Sequence, residues 1–323
     1  MTEQGNRPRI GLALGSGAAR GLAFIGVLKV LQEEEIPIDL IAGTSIGALI
    51  GALYAAGVPL ESIEEVARDV DWKKMAQLVD PVLPTAGLID GSKISNYFGQ
   101  ILPVQTFEEL QIPLAMTATD LTTGETVILR RGNLIEALRA AIAFPGIFTP
   151  VSCDNRFLVD GGLNHPVPGG IARQLGADRV IGICAIPEVT KPDTEAAIPD
   201  GSHSPEAPGL LAKLFSSQRV EQLWQDIWRA KNHSAGNGSG TERKPPNIFR
   251  VFAQSVAIME NRINALQLAN EPLDVLLRPN LKGINLLDFH RADEAIAAGE
   301  QAARAEVVAL RKLCEPIARH ESL

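Results

Sequence analysis

Apolar positions in this chain come in short runs broken by glycine, proline and acidic residues. "RIGLALG" is too short for a helix and reads as a strand. Leu22, Ile25, Leu28 and Leu31 then recur at helical spacing and mark one face of a helix. Ile38 to Ala42 reads as a second strand, and Ile46 to Ala56 as a helix without a polar face. Gly57 caps that helix, with Pro59 just beyond. Further strands are expected in "PLAMTATDL", "TVILRR", "RFLVDG", "RVIGICAI" and "LDVLLRP", with helical segments between several of them. This order predicts an α/β protein whose mostly parallel or mixed sheet is covered on both faces.

One region departs from the pattern. From Pro187 to Pro246 the chain is polar and rich in Pro, Gly and Ser, and "HSAGNGSGTERKPP" reads as a mobile loop. Within it, 209–232 has helical periodicity: Leu210, Leu211, Leu214 and Phe215 begin an apolar face that Val220, Leu223, Trp224, Ile227 and Trp228 continue.

Composition narrows the picture further. The 323 residues can bury a full core, and 46% are hydrophobic, as in a globular protein. The formal charge of -8 argues against nucleic acid as the main partner. Cys153, Cys184 and Cys314 form no metal pattern and no disulfide framework, so no metal or cofactor is expected and a reducing cytosol fits. The start, "MTEQGNRPRI", has no apolar signal core, and a cytoplasmic protein is expected.

The stretch "IAGTSIGALIGALYAAG" places Ser45 between two glycines. No charge lies between Leu40 and Leu60, and Gly43, Gly47 and Gly51 have the spacing of a helix-packing face, so a membrane span is one reading. The run is too rich in Gly and Ala for that, and its flanks are acidic rather than basic. A buried strand, turn and helix is the plainer reading. Gly-x-Ser-x-Gly adds chemistry to that geometry: it is the nucleophile elbow, in which a strand turns sharply into a helix and lifts the serine hydroxyl out of the chain, with Gly43 and Gly47 leaving room for the turn.

A second glycine-rich turn, "GLALGSGAARG", follows the first strand and opens a helix. A dinucleotide site would need glycine at position 20, where Arg20 stands, and an acid at the end of the second strand, which instead ends in Gly43, Thr44 and Ser45. The turn would still direct backbone N–H groups outward beside a helix N-terminus, as an oxyanion hole does. A nucleophilic serine also needs a base. His203 and His233 fall in the polar loop and His320 near the end, which leaves His165, His290 and the carboxylate of Asp160 in "FLVDGGLNHPVP". A carboxylate before a glycine turn serves structure as readily as catalysis.

"GSGAARG", "GTSIG" and "DGG", in this order and spacing, resemble the patatin-like phospholipases, above all bacterial members related to the catalytic domain of neuropathy target esterase. The resemblance covers roughly residues 8–185 and 248–305, including "ATDLTTGE", "FPGIFTPV" and "LLRPNLKGINLLDFHRADEAI". It implies a three-layer α/β/α fold and a hydrolase domain over residues 8–305. In that plan 187–247 is a mobile insertion carrying the amphipathic helix, and 306–323 is a C-terminal helix or tail. It further implies Ser45 as nucleophile, Asp160 as base, and backbone amides of Gly15, Ser16, Gly17, Ala18, Ala19 and Arg20 as the oxyanion hole. The family hydrolyses acyl esters of phospholipids or lysophospholipids through an acyl-enzyme, without metal. Ser16 stands where many relatives have a third consecutive glycine, and His165 stands directly before the proline where asparagine is expected.

Two alternatives stay open: an α/β-hydrolase with the triad Ser45, Asp160 and His290, and a non-catalytic lipid-binding module. Asp120 in "TDLTTGE" reads as part of a hairpin turn, and Arg130, Arg131 and Arg139 as a solvated face. Arg20 could bind a head group or brace its turn. The 209–232 stretch is either a core helix, a lid or a contact to an anionic membrane surface, its Lys213, Arg219, Arg229 and Lys231 outnumbering Glu221 and Asp226.

Overall fold

A computed structural model describes residues 7–70, 72–82, 86–186, 248–270 and 273–316. The expected insertion, with Trp224 and Trp228, lies outside the described residues, as do His203, His233 and His320. The described residues up to 186 and from 254 onward belong to one compact unit.

Among the described residues the strands form one eight-stranded mixed sheet in the order β5-β6-β3-β2-β1-β7-β8, with β4 also paired to β3. The strands are β1 Ile10–Leu14, β2 Leu40–Thr44, β3 Leu114–Asp120, β4 Thr126–Leu129, β5 Val151–Cys153, β6 Arg156–Asp160, β7 Arg179–Ile183 and β8 Val275–Leu277. The β3-β2-β1-β7-β8 half is parallel, and β3 pairs antiparallel with β4 and β6. β2 begins and ends two residues later than the hydrophobic pattern suggests. Asp39 is occupied in accepting the Ile10 N–H, and parallel pairing to β1 and β3 carries the strand on to Thr44.

The two-residue alternation of strands divides the core in two. Leu12, Leu14, Ile41, Leu114 and Met116 pack with helices α1 (Ala23–Glu33), α2 (Ile46–Ala55) and α9 (Ala292–Ala305). Ala13, Ala42 and Ala115 on the other face meet Ile171 and Ala172 of α7 (Gly169–Gln174). The remaining helices are α3 Leu60–Asp69, α4 Trp72–Leu78, α5 Ser92–Ile101, α6 Leu134–Ala141, α8 Ile248–Asn270 and α10 Val307–Lys312. "IAGTSIGALIGALYAAG" is thus a central strand and a buried helix, and no described helix is long and apolar enough to cross a membrane.

The register of β3 brings the ends of β2 and β6 together. Thr117 pairs with Thr44 on one edge and Ile128 on the other, while Ala118 pairs with Asp160 and Val127. β4 therefore takes one edge of β3, and β2 and β6 share the opposite edge. β2 runs parallel to β3 and β6 antiparallel, so they meet head-on, one ending at Thr44 and the other at Asp160, across adjacent rungs.

Helices α1 and α9 cross backbone to backbone. A Cβ on Gly26 would lie 1.9 Å from Ile296 O, and one on Gly299 would lie 1.9 Å from Ala23 O. Neither carbonyl can yield as a flexible side chain would. Gly26→Ala is expected to cost about 2 kcal/mol or more of stability in denaturant unfolding. Gly99→Ala in α5, where nothing lies within 4 Å, is expected to gain up to about 1 kcal/mol through helix propensity.

Candidate active site

Ser45 sits where β2 turns into α2. Its backbone has φ 56 and ψ -123, a conformation sparsely populated by residues with side chains. Glycines make the turn possible. A Cβ on Gly43 would meet Ala48 Cα at 2.6 Å, and one on Gly47 would meet Leu14 O at 2.3 Å. A Cβ on Gly21 would collide with the Ile46 side chain, so the glycine-rich turn earlier in the chain packs directly against the elbow.

Ser45 Oγ donates to Asp160 Oδ2 at 2.6 Å. Asp160 Oδ1 accepts from the Gly162 N–H at 2.8 Å. The Asp160 backbone is fixed on both sides: its N–H donates to Ala143 O, and its carbonyl accepts from Thr119 Oγ1. Asp160 is only 2% exposed, whereas Ser45 is half-buried. Burial pushes the Asp160 carboxyl up from 3.8 to about 6, against the pull of the hydrogen bonds from Ser45 and Gly162. At neutral pH it is still mostly ionised, yet far more basic than an ordinary aspartate.

The glycine-rich turn follows β1, whose Leu14 pairs with Gly43, so it flanks the elbow. Its amides are mostly occupied. Gly15 N donates to Ile183 O, Ser16 N to Pro166 O, Ala19 N to Leu286 O and Arg20 N to Gly17 O. Of the six amides expected to face an oxyanion, those of Gly17 and Ala18 keep no backbone partner among the described residues. The N–H groups of Gly15, Ser16, Ala19 and Arg20 thus hold the turn. The Arg20 side chain braces the same turn, its Nε donating to Ile284 O at 2.7 Å.

The His165 carbonyl accepts from Thr44 Oγ1 at 2.8 Å and its Nδ1 lies 3.3 Å from Gln267 Nε2. His290 is exposed in the short turn Phe289–Arg291. Asp120 shapes the β3–β4 hairpin, accepting from Thr122 N at 2.8 Å. Arg130 and Arg131 are exposed as expected, but Arg139 is 7% exposed, its guanidinium donating to the carbonyls of Asp90 and Thr149. The sequence reading passed over Glu260, whose Oε1 lies 2.6 Å from where a Gly162 Cβ would be. The polar residues Glu260, Asn264 and Gln267 at helical spacing were the available signal.

The sequence profile of the family described as "Patatin-like phospholipase" matches residues 12–173. An uncharacterized NTE family protein of Mycobacterium bovis is 32% identical over 325 residues, covering 90% of this chain and 89% of its own. Patatin-like phospholipase domain-containing protein 6 of Homo sapiens is 37% identical over 182 residues, 54% of this chain and 13% of its own. Neuropathy target esterase of Drosophila melanogaster is 35% identical over 182 residues, with the same shares.

The buried carboxylate has a consequence for stability. A raised folded-state pKa means that the stabilising contribution of Asp160 is full below 3.8 and is lost as pH rises through about 6. Asp160→Asn keeps the shape without the charge. At pH 7.5 it is expected to be more stable than the wild type by roughly 3 kcal/mol, with the gain vanishing below about pH 4. Thermal unfolding of both proteins across this range checks it.

Proposed function

The chain belongs to the patatin-like phospholipase family, and from that premise we propose that it is a serine acyl hydrolase using a Ser45–Asp160 dyad on phospholipids or lysophospholipids. Family membership itself implies hydrolysis of lipid esters. The observation that carries the finer reading is the 2.6 Å hydrogen bond from a strained, accessible serine to a buried carboxylate.

In the first half-reaction Ser45 Oγ attacks the ester carbonyl carbon and its proton passes to Asp160 Oδ2. Negative charge develops on the carbonyl oxygen, toward the amides of Gly17 and Ala18, where one lost donor typically costs about 3–4 kcal/mol of transition-state stabilisation. The helix opening at Ile46 adds its positive end. The carbon–oxygen bond to the alcohol breaks, and the alcohol leaves with the proton held by Asp160. In the second half-reaction water attacks the Ser45 ester and gives a proton to Asp160. The bond to Ser45 Oγ breaks, the proton returns to Ser45, and the carboxylic acid departs. Asp160 can serve as base because burial has raised its proton affinity. Its two oxygens are taken by Ser45 and Gly162, which favours a dyad over a triad through His290.

A fluorophosphonate probe is expected to label Ser45, and Ser45→Ala to lose both labelling and ester hydrolysis while remaining folded. Asp160→Asn is expected to lose roughly two orders of magnitude in activity or more, and His165→Ala and His290→Ala to keep most of it. Labelling of folded Ser45→Ala at another serine overturns the nucleophile. Collapse of folded His290→Ala restores the triad. A wild-type protein that is neither labelled nor active leaves the lipid-binding module.

A lipid substrate has to be met at a membrane surface, and we assign that peripheral contact to 209–232 from its sequence pattern alone, with Trp224 and Trp228 at headgroup level. Anionic vesicles are expected to co-sediment the intact protein and to release Trp224→Ala/Trp228→Ala. Equal binding by both removes the assignment.

A further inference from the structure

Val256, Glu260, Asn264 and Gln267 recur at helical spacing and share one face of α8. This face meets the body of the protein: Val256 and Asn264 are buried, Asn264 Nδ2 donates to Cys184 Sγ at 3.3 Å, and Gln267 Nε2 donates to Asn164 O. A core-facing helix face is normally apolar. Here it is polar and, among the described residues, short of partners, because Asn264 Oδ1 and Gln267 Oε1 are buried without a hydrogen bond, as is nearby Ser16 Oγ. Glu260 extends from this face over Gly162. The point where a Gly162 Cβ would lie is 2.6 Å from Glu260 Oε1, 3.2 Å from Asp160 Oδ1 and 3.3 Å from Ser16 Cβ. A second carboxyl therefore borders the Asp160 oxygen that Ser45 does not use. None of the steps above employs it.

We propose that Glu260 is a positioning residue outside the Ser45–Asp160 pair, a carboxyl that covers Asp160 and, acting through it, sets how strong a base Asp160 is. The inference rests on the Ser45–Asp160 reading. Burial and the neighbouring Asp160 charge push Glu260 up to about 8, while burial holds Asp160 at about 6. At pH 7 the pair thus carries one proton, on Glu260, and Asp160 is the ionised member. Glu260 then shields the base from water without adding charge. Above about pH 8 it ionises, and a second negative charge beside Asp160 raises the affinity of Asp160 for the Ser45 proton. Catalysis moves negative charge away from this pair onto the ester oxygen, so ionised Glu260 speeds that transfer. The titratable and charged groups along this face of α8 are Asp160 beside Glu260, Cys184 and Arg278 beside Asn264, and His165 beside Gln267, with Arg262 on α8 itself. Among the described residues, the charge acting on Glu260 is that of Asp160.

The test is kcat/KM on a neutral p-nitrophenyl ester from about pH 5 to about pH 9 for the full-length wild type, Glu260→Gln and Glu260→Ala. Wild type and Glu260→Gln are expected to coincide up to about pH 7, sharing an acid limb near 6, with the wild type several-fold faster above about pH 8. Glu260→Ala admits water, so its acid limb moves down and its rate at pH 7 falls. Thermal unfolding gives a second readout. The stabilising contribution of Glu260 is full below 4.5 and lost as pH rises through about 8, so Glu260→Gln gains stability over the wild type as pH rises. A ratio of wild type to Glu260→Gln that stays constant across the range overturns the proposal, as does a stability difference that does not grow with pH. Absence of fluorophosphonate labelling at Ser45 in the wild type overturns the catalytic reading instead, so the two failures are distinguishable.

Discussion

The hydrogen bond from Ser45 to Asp160 joins residues 115 positions apart, and it forms only if two strand ends meet within one rung of a third strand. β3 supplies that rung. Its register with β2 fixes where the elbow begins, and its register with β6 fixes where the carboxylate ends. A slip of one residue in either pairing would turn the side chain to the opposite face of the sheet. Thr44 and Thr117 reinforce the junction, their hydroxyls 2.7 Å apart, with Thr44 Oγ1 also close to the His165 carbonyl.

Around this bond the structure accepts two unfavourable conditions. Ser45 holds a strained backbone, which typically costs about 1–3 kcal/mol, and Asp160 holds a charge away from water. Tight packing of Gly43 and Gly47 against backbone atoms and the buried strands confine the strain, because relaxing it would move backbone rather than side chains. Desolvation of Asp160 destabilises the fold in the same measure that it strengthens the base. The glycine-rich turn after β1 follows the same logic. Three of its amides are bonded to β7, to the turn after β6 and to Leu286, and a fourth, that of Arg20, closes back onto Gly17 O, so the turn is held in a rigid frame.

Much of this arrangement was legible in the sequence. The "GTSIG" glycines announced a sharp turn because only residues without a Cβ fit against Ala48 and Leu14 there. Short apolar runs gave the strands other than β5, since strands buried on both faces read as continuous apolar stretches, and helical spacing gave α1 and α2. β5 reads Val-Ser-Cys and is only half-buried, so it has no apolar run to reveal it, whereas the equally short β8 lies within an apolar run; β2 shifted because pairing with its neighbours overrode local hydrophobicity. Arg139 read as surface because a charged side chain normally is; only the converging carbonyls of Asp90 and Thr149 make its burial tolerable.

By itself, the sequence determined the chemistry available: a serine in an elbow, a carboxylate before two glycines, and an amide-rich turn, in an order that marks the family. Tertiary structure alone decided which of these groups act together. Hydrogen bonding is a matter of ångströms, and separations of 115 residues carry no distance information until the strands are paired. The same holds for Glu260. Its place beside Asp160 depends on how α8 lies over Gly162, and its charge state depends on the burial and the neighbouring carboxylate that this contact creates.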